Sequence, residues 1–217
     1  MLFLINYVLK NKQELSSLVS HWEVKGEGGK HLLSLLRGHR LKRLCYRMLD
    51  EKEFLSDYGI RALSKIYEKD PFQIHFNNTD YSVKYTPAES DSGLFGGNSN
   101  WRGPIWFPIN FLIIESLQRF FFYYSPDFII EYPTGSGKFS NLDEIADSLG
   151  KRLSKIFLKD EDGNRAFNKQ YPRFQTDPDF KDYILFYEYF HGDNGRGVGA
   201  SHQTGWTGLI AKILQPR

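Results

Sequence analysis

The stretch 108–124 constrains this chain most, because it is apolar nearly all round over a helical length. Pro104 and Pro108 stand near its start, where a missing backbone N–H costs little. A helix that lacks a polar face must be surrounded by other elements. We therefore expect this segment to lie inside a helical shell.

Four further segments predict helices from apolar residues recurring at three- and four-residue steps. They are 2–21, 31–49, 141–157 and 205–214. In 31–49 the apolar face is predicted to comprise Leu32, Leu36, Leu41, Leu44, Cys45 and Met48, and in 141–157 Leu142, Ile145, Ala146, Leu149, Leu153, Ile156 and Phe157. Ser140 or Asn141 can cap the 141–157 helix. The last helix is expected to bury Trp206, Leu209, Ile210, Ile213 and Leu214.

In residues 72–85 the spacing of the apolar residues changes from helical to alternating. Two alternating runs flank Asn77-Asn78-Thr79, a pattern that predicts a β-hairpin. Residues 87–103 have no period and many Gly, Ser and Asn, so they are predicted as a loop, and 127–132 as a short strand. The fold class expected is mainly α with a small inserted β-hairpin, and no linker divides the 217 residues.

Charge is nearly balanced, with 28 Lys and Arg against 26 Asp and Glu, which argues against nucleic acid or an anionic membrane as a partner. Arg37, Arg40, Arg43 and Arg47 share one face of 31–49; a solvated face explains them better than a phosphate track. The apolar start, residues 1–9, is too short to span a bilayer and lacks the features of a signal peptide. The single Cys45 excludes an intrachain disulfide and fits a cytoplasmic location.

Two motifs resemble cofactor sites without completing them. Residues 133–138 resemble a phosphate loop, but Tyr132 replaces its first Gly and Phe139 its magnesium-binding hydroxyl, so a plain turn is favoured over nucleotide binding. Residues 160–163 resemble part of a calcium loop whose last ligand would be Lys169. The six His residues show no zinc spacing. We expect no metal and no cofactor.

Three segments combine aromatic rings with polar side chains, the composition of a sugar pocket. The first, 87–106, brings together Glu89, Asp91, Phe95, Asn98, Asn100, Trp101, Arg102 and Trp106; the second, 186–194, contains Glu188 and His191; the third, 199–206, contains Gln203 and Trp206. Glu188 stands between aromatic residues, and burial there would suit a general base. Each segment also has a plain interpretation: a salt-bridge partner at 188, core tryptophans, and a flexible loop at 195–199.

Together these segments resemble glycoside hydrolases of family 63. The resemblance is to the C-terminal half of bacterial-type members, which include α-glucosidases and mannosylglycerate or glucosylglycerate hydrolases. Its motifs are Gly-Gly-Asn-Ser-Asn-Trp-Arg-Gly-Pro-Ile-Trp at 96–106, Phe-Tyr-Glu-Tyr-Phe at 186–190 and Gln-Thr-Gly-Trp at 203–206. Trehalases show the same order more loosely, and the similarity covers essentially the whole chain.

The resemblance implies an (α/α)6 toroid, present here in part, and hydrolysis with inversion. It implies that Glu188 is the general base. It also implies a sugar subsite lined by Trp101, Arg102, Trp106, Asn100, Asn98, Phe95, Glu89, His191, Gln203 and Trp206. The family's general acid is an Asp in a Gly-Phe-Phe-Tyr-Asp type of segment, which this sequence does not contain.

Because inverting hydrolysis needs two carboxyl groups, we expect the chain to be the C-terminal part of a catalytic domain. Its expected partners are a carbohydrate substrate and the N-terminal half of the same domain. The alternative is a catalytically inactive sugar-binding or interaction fragment, and a phosphate-loop nucleotide binder ranks last.

Overall fold

The computed structural model describes residues 36–94 and 96–215, together with positions 7, 11, 12, 29, 32 and 34. The helix predicted over 2–21 therefore lies outside the continuously described residues. The same is true of Phe95 and of most of the chain before residue 36. All statements below concern the described part.

Six α-helices occur among the described residues. They are α1 Gly38–Met48, α2 Phe107–Tyr124, α3 Leu142–Ser154, α4 Arg173–Thr176, α5 Thr204–Thr207 and α6 Ile210–Leu214. Three short 3₁₀ turns, Lys65–Glu68, Gly96–Asn98 and Ala166–Asn168, lie in the connections. Helices α2 and α3 pack against each other, and α3 also contacts α6. The helical pattern of the sequence therefore predicts the framework that carries the core.

Four two-stranded antiparallel sheets complete the described part of the fold. They pair β1 Leu55–Ser56 with β2 Gly59–Ile60, β3 Phe72–Phe76 with β4 Thr79–Val83, β5 Ile129–Glu131 with β6 Phe139–Asn141, and β7 Tyr189–Phe190 with β8 Gly197–Val198. The predicted hairpin is confirmed: Asn77 and Asn78 both have positive φ, as a tight two-residue turn requires. The phosphate-loop look-alike at 133–138 is the turn between β5 and β6.

Helix α3 begins where the capping pattern predicts. The Asn141 side chain accepts hydrogen bonds from the backbone N–H groups of Asp143 and Glu144, at 3.0 Å each. The Glu144 carboxylate accepts from the Asn141 N–H in return. This reciprocal pair satisfies N–H groups that have no partner inside the helix. The helix ends at Ser154, three residues earlier than predicted.

The core lies where α1, α2 and α3 meet. Its fully buried members include Leu41 and Cys45 of α1, Ile114 of α2, and Leu149 and Leu153 of α3. Burial raises the pKa of the Cys45 thiol to about 12. The aromatic residues Phe157, Phe167 and Phe190 close the core towards the C-terminal third of the chain.

Three burial predictions are wrong. Helix α1 begins at Gly38 rather than residue 31, and Leu44 is half exposed. Helix α2 is not surrounded: Leu112 and Phe122 are each about 60% exposed on its outer face.

The last helix is the third wrong prediction, because it is split into α5 and α6, with Trp206 40% exposed and Leu214 51% exposed. Its predicted apolar face assumed one continuous helix. The break at Gly208–Leu209 leaves only part of that face on the core: Ile210 is buried, and Leu209 and Ile213 pack against the core, whereas Trp206 and Leu214 do not.

The mainly α class is compatible with this architecture, in which the helices hold the core and the sheets are small. The described helices are arranged as α2 on α3, with α6 and α5 beside them. Within the described residues we find no helix with the length and apolarity needed to cross a bilayer.

Candidate functional site

The loop 87–103 is fastened at both ends to the C-terminal part of the chain. The Thr86 N–H donates to the Arg102 carbonyl at 2.6 Å, which closes the loop on itself. The Gly192 N–H donates to the Pro87 carbonyl, and Ile105 and Phe190 exchange two N–H···O bonds at 2.8 and 3.0 Å. The three aromatic and polar segments predicted to form a site are therefore brought together.

A stack of aromatic rings forms the centre of this region. The rings of Trp101 and Trp106 are parallel to within 4°, with centroids 4.0 Å apart. Tyr189 stacks on Trp106 at 4.7 Å, and Trp206 lies tilted at 5.4 Å from Trp106. Trp106 is buried, Trp101 is half-buried and Trp206 is exposed, so the stack leads from the core to the surface. Such flat faces can pack on the apolar side of a sugar ring.

Two polar atoms beside the stack are buried and have no hydrogen-bond partner among the described residues. They are the indole Nε1 of Trp106 and the Oδ1 of Asn100, one donor and one acceptor. Native proteins satisfy the great majority of buried polar atoms, because leaving one unpaired costs about 1–3 kcal/mol. An unpaired donor and acceptor next to aromatic faces are what a hydroxyl-bearing ligand would satisfy.

Tyr189 connects the stack to the charged residues. Its hydroxyl is hydrogen-bonded by the Asn100 side chain and lies in the field of the Glu188 and Glu89 carboxylates. Burial raises the pKa of Tyr189, and these two carboxylates raise it further. The motif at 186–190 contains Tyr189 but does not indicate this role, although an aromatic residue beside the expected base is a usable signal.

Glu188 lies at the edge of this group and is half-buried, so the expected full burial is not observed. Its backbone N–H donates to the Ala200 carbonyl at 2.8 Å, which places the 186–190 segment alongside 197–203. The Ala200 N–H points at the Glu188 carboxylate at 3.5 Å. A half-exposed carboxylate remains accessible to water, as a general base must be.

Glu89 is engaged by another side chain. Arg196 donates to both of its carboxylate oxygens, at 2.7 and 3.3 Å, and also to Gln170 at 2.6 Å. The hydrogen bond from Arg196 lowers the pKa of Glu89. Glu89 therefore fastens the 87–103 loop to the segment after β7, a contact that spacing in the sequence could not reveal.

A second ionic cluster joins Asp193, which follows β7, to residues that follow β2. Asp193 accepts from Lys65 at 2.9 Å and from the buried Arg61 at 3.0 Å, and Arg61 also donates to the Tyr85 hydroxyl. Burial tends to raise the pKa of Asp193, but the two cations outweigh it and lower the pKa. The sequence does not reveal this cluster, because Asp193 lies more than a hundred residues from Arg61 and Lys65.

The remaining predicted residues divide by their contacts. Arg102 is 4% exposed and donates to the Ser99 carbonyl, Ser90 and Asp91, so it shapes the loop from inside. His191 accepts from the Asp193 N–H through Nδ1, and burial lowers its pKa. Gln203 is half-buried where α5 begins. Phe95 and the Asn98 side chain lie outside the described residues.

An apolar cleft of about 560 Å³ adjoins the stack. Trp101 and Trp106 line it together with residues of α1, α2, the strand β2 and the segment 61–67. The cleft is large enough for a sugar-sized group, and Ile109 and Ile113 are part of its apolar lining.

Residues 31–132 match the sequence model of the glycosyl hydrolase family 63 C-terminal domain. Over these residues the chain is similar to the C-terminal domain of family 63 glycosyl hydrolases. The matched range includes Trp101 and Trp106 of the stack, Asn100 and Arg102, but ends before Glu188 and Tyr189.

Three curated relatives are similar to this chain beyond the range that the family model matches. An uncharacterized protein of Saccharomyces cerevisiae is 53% identical over 97% of this chain and 20% of its own length. The mannosyl-oligosaccharide glucosidase of the same yeast is 29% identical, and a probable mannosyl-oligosaccharide glucosidase of Schizosaccharomyces pombe 26%, each over 81% of this chain and 15% of its own length. The chain thus spans a fifth or less of the curated relatives it matches.

Proposed function

We propose that this chain is the C-terminal part of an inverting glycoside hydrolase that acts on an α-glucoside or a glycosyl-glycerate. The observation that carries the proposal is the Trp101–Trp106–Tyr189 stack, with unpaired Trp106 Nε1 and Asn100 Oδ1 beside it. The family 63 match and two relatives named as glucosidases support a glycoside-hydrolase-like function.

In this proposal the stack supports one face of the sugar ring. The Trp106 N–H donates to a sugar hydroxyl, and the Asn100 oxygen accepts from another. Each such bond removes the penalty of an unpaired buried group, so a ligand with hydroxyls is preferred over an apolar one. Trp206, exposed and tilted towards Trp106, covers the sugar from the solvent side.

Glu188 acts as the general base. It takes a proton from the water that attacks the anomeric carbon on the face opposite the leaving group, which inverts the configuration. The second carboxyl group protonates the leaving oxygen, and inverting enzymes hold it about 6.5–9.5 Å from the base. We propose that this acid, and the helices that complete an (α/α)6 toroid, come from polypeptide upstream of this segment.

The test of the base uses α-glucosyl fluoride, whose leaving group needs little protonation. We expect the chain, alone or joined to upstream family sequence, to release β-glucose first, observed by proton NMR. Glu188→Gln should lower the rate at least about 100-fold, because general base catalysis contributes about 10² to 10⁴. Glu161→Gln, an exposed carboxylate in the turn after α3, is the control and should leave the rate unchanged. Full activity of Glu188→Gln would remove the base assignment.

Sugar binding is tested separately by tryptophan fluorescence during titration with glucosides. Trp106→Phe keeps an aromatic ring but removes the N–H donor, so affinity should fall about tenfold, the value of one hydrogen bond. Saturable binding without turnover, with or without the upstream sequence, would favour the alternative of an inactive sugar-binding protein. No saturable binding in a folded chain would contradict the sugar site.

A further inference from the structure

The segment Gly195-Arg-Gly-Val-Gly199 is an ordered strip in which glycine alternates with larger residues. Its central pair forms β8, hydrogen-bonded to β7. The two larger residues serve the proposed site: Arg196 holds Glu89 and Gln170, and Val198 is 2% exposed and packs in the cluster of Trp106 and Tyr189.

Other side chains occupy the space that substituents at the three glycines would need. A carbon added at Gly195 would lie 2.5 Å from the Tyr58 ring, and one at Gly197 would overlap the Tyr187 ring. A carbon added at Gly199 would lie 2.6 Å from the Glu188 carboxylate oxygen Oε2, 2.9 Å from the Tyr189 ring and 3.0 Å from the Glu188 Cβ. The glycines therefore allow the strip to lie directly against these three positions.

Gly199 has a second constraint. Its φ is +74°, a conformation that L-residues with side chains rarely adopt. The residue that follows, Ala200, accepts from the Glu188 N–H and directs its own N–H at the carboxylate. The backbone turn at Gly199 thus places the strip next to both the backbone N–H and the side-chain carboxylate of Glu188.

We propose that Gly199 is a positioning residue for Glu188, leaving the space in which its carboxylate stands beside the Trp101–Trp106–Tyr189 stack. The inference rests on the proposed function only for its catalytic consequence. A methyl group at residue 199 would bring carbon and oxygen to 2.6 Å, whereas ordinary contact begins at about 3.4 Å. The carboxylate must move, and a misplacement of about 1 Å can cost about 100-fold in rate.

The test compares Gly199→Ala with Gly163→Ala. Gly163 has nearly the same φ, +79°, but an added carbon meets nothing within 4 Å, so it reproduces the backbone strain without the contact. The first readout is the side-chain carboxyl ¹³C resonance of Glu188, assigned from the signal lost in Glu188→Gln. We expect it to move in Gly199→Ala and to stay in place in Gly163→Ala. An unmoved resonance in folded Gly199→Ala would overturn the inference.

The second readout is hydrolysis of α-glucosyl fluoride by the same proteins. Gly199→Ala should lower kcat about 100-fold with KM changed less than about threefold, because the sugar platform is intact. Gly163→Ala should behave as wild type. If the resonance moves while wild type shows no hydrolysis, the positioning of Glu188 stands and the proposed function fails. If wild type hydrolyses and Gly199→Ala retains full kcat, the positioning role is refuted.

A double variant covers the case in which Gly199→Ala does not fold. Glu188→Ala removes Oε2, the nearest atom, so it should recover part of the stability lost at position 199. We expect Gly199→Ala combined with Glu188→Ala to unfold cooperatively on heating where Gly199→Ala alone shows no transition. A double variant that shows no transition either, while Glu188→Ala alone does, would refute the contact.

Discussion

Asn110 gives the sharpest prediction about stability, because it places a buried amide in the first turn of the apolar helix α2. It is 2% exposed. Its Oδ1 accepts from the Ile60 N–H at 2.7 Å, and its Nδ2 donates to the Ile60 carbonyl at 3.0 Å. The amide thus pairs with both backbone groups of one residue in β2, and this contact attaches the helix to the strand.

Asn110→Ala removes both bonds to Ile60 and a third, from Nδ2 to the Trp106 carbonyl at 3.0 Å. The Ile60 N–H and C=O would remain buried, and each unpaired group costs about 1–3 kcal/mol. Since Trp106 still receives the α2 backbone bond from the Asn110 N–H, no further group is lost. We expect the free energy of unfolding to fall by about 3 kcal/mol and the melting temperature by about 6–12 °C for a chain of this size.

The assay is urea unfolding followed by circular dichroism, with the melting temperature as a second measure. Ser116→Ala on the same helix is the matched control: Ser116 is exposed, bonds only within the helix, and should change stability by less than about 0.5 kcal/mol. A loss below about 1 kcal/mol for Asn110→Ala would refute the reasoning. It would show that water from the adjoining cleft, which Asn110 lines, satisfies Ile60.

Two further predictions concern charge and capping. The two cations lower the pKa of Asp193, so its stabilising effect is present above the ordinary aspartate pKa and is lost as pH falls through the lower folded value. Asp193→Asn should cost about 1–3 kcal/mol near pH 7, shrinking below about pH 4; a difference constant from pH 7 to pH 3 in urea unfolding would contradict this. Asn141→Ala should cost about 1 kcal/mol and Asn141→Ser a few tenths, both measured by melting; equal effects would exclude the cap as the cause.

The sequence predicts those parts of the fold that depend on local chemistry. The cap at Asn141, the helical core face of 141–157 and the Asn77–Asn78 turn all follow from short-range rules, and all three are confirmed. The segment 133–138, which resembles a phosphate loop, is a turn, as Tyr132 and Phe139 beside it predict.

Burial was harder to predict, because it depends on what covers an element. Leu112 and Phe122 carry the same apolar signal as Ile114 and Leu117, yet only the latter two meet α3 and the rest of the core. Trp206 was assigned to a core face for the same reason. The spacing of apolar residues shows which face of a helix is apolar, but it does not show which element packs against that face.

In the candidate site, too, the sequence indicates the residue types but not the long-range contacts. The three segments were chosen for residue types, and the structure brings their aromatic residues into one stack. The contacts that hold the site, Glu89 with Arg196 and Asp193 with Arg61, join residues more than a hundred positions apart. Only the fold could reveal them, and the catalytic role of Glu188 stays a prediction.

The β3–β4 hairpin has a consequence for how such experiments are interpreted. Every position of β3 is exposed, and a lone two-stranded hairpin is only marginally stable in water. Its amide protons should exchange through local opening, independently of the core. None of the four tryptophans lies between residues 72 and 83, so tryptophan fluorescence does not report this opening. A melting curve measured by tryptophan emission will report the unfolding of the core and will not report the earlier opening of the hairpin.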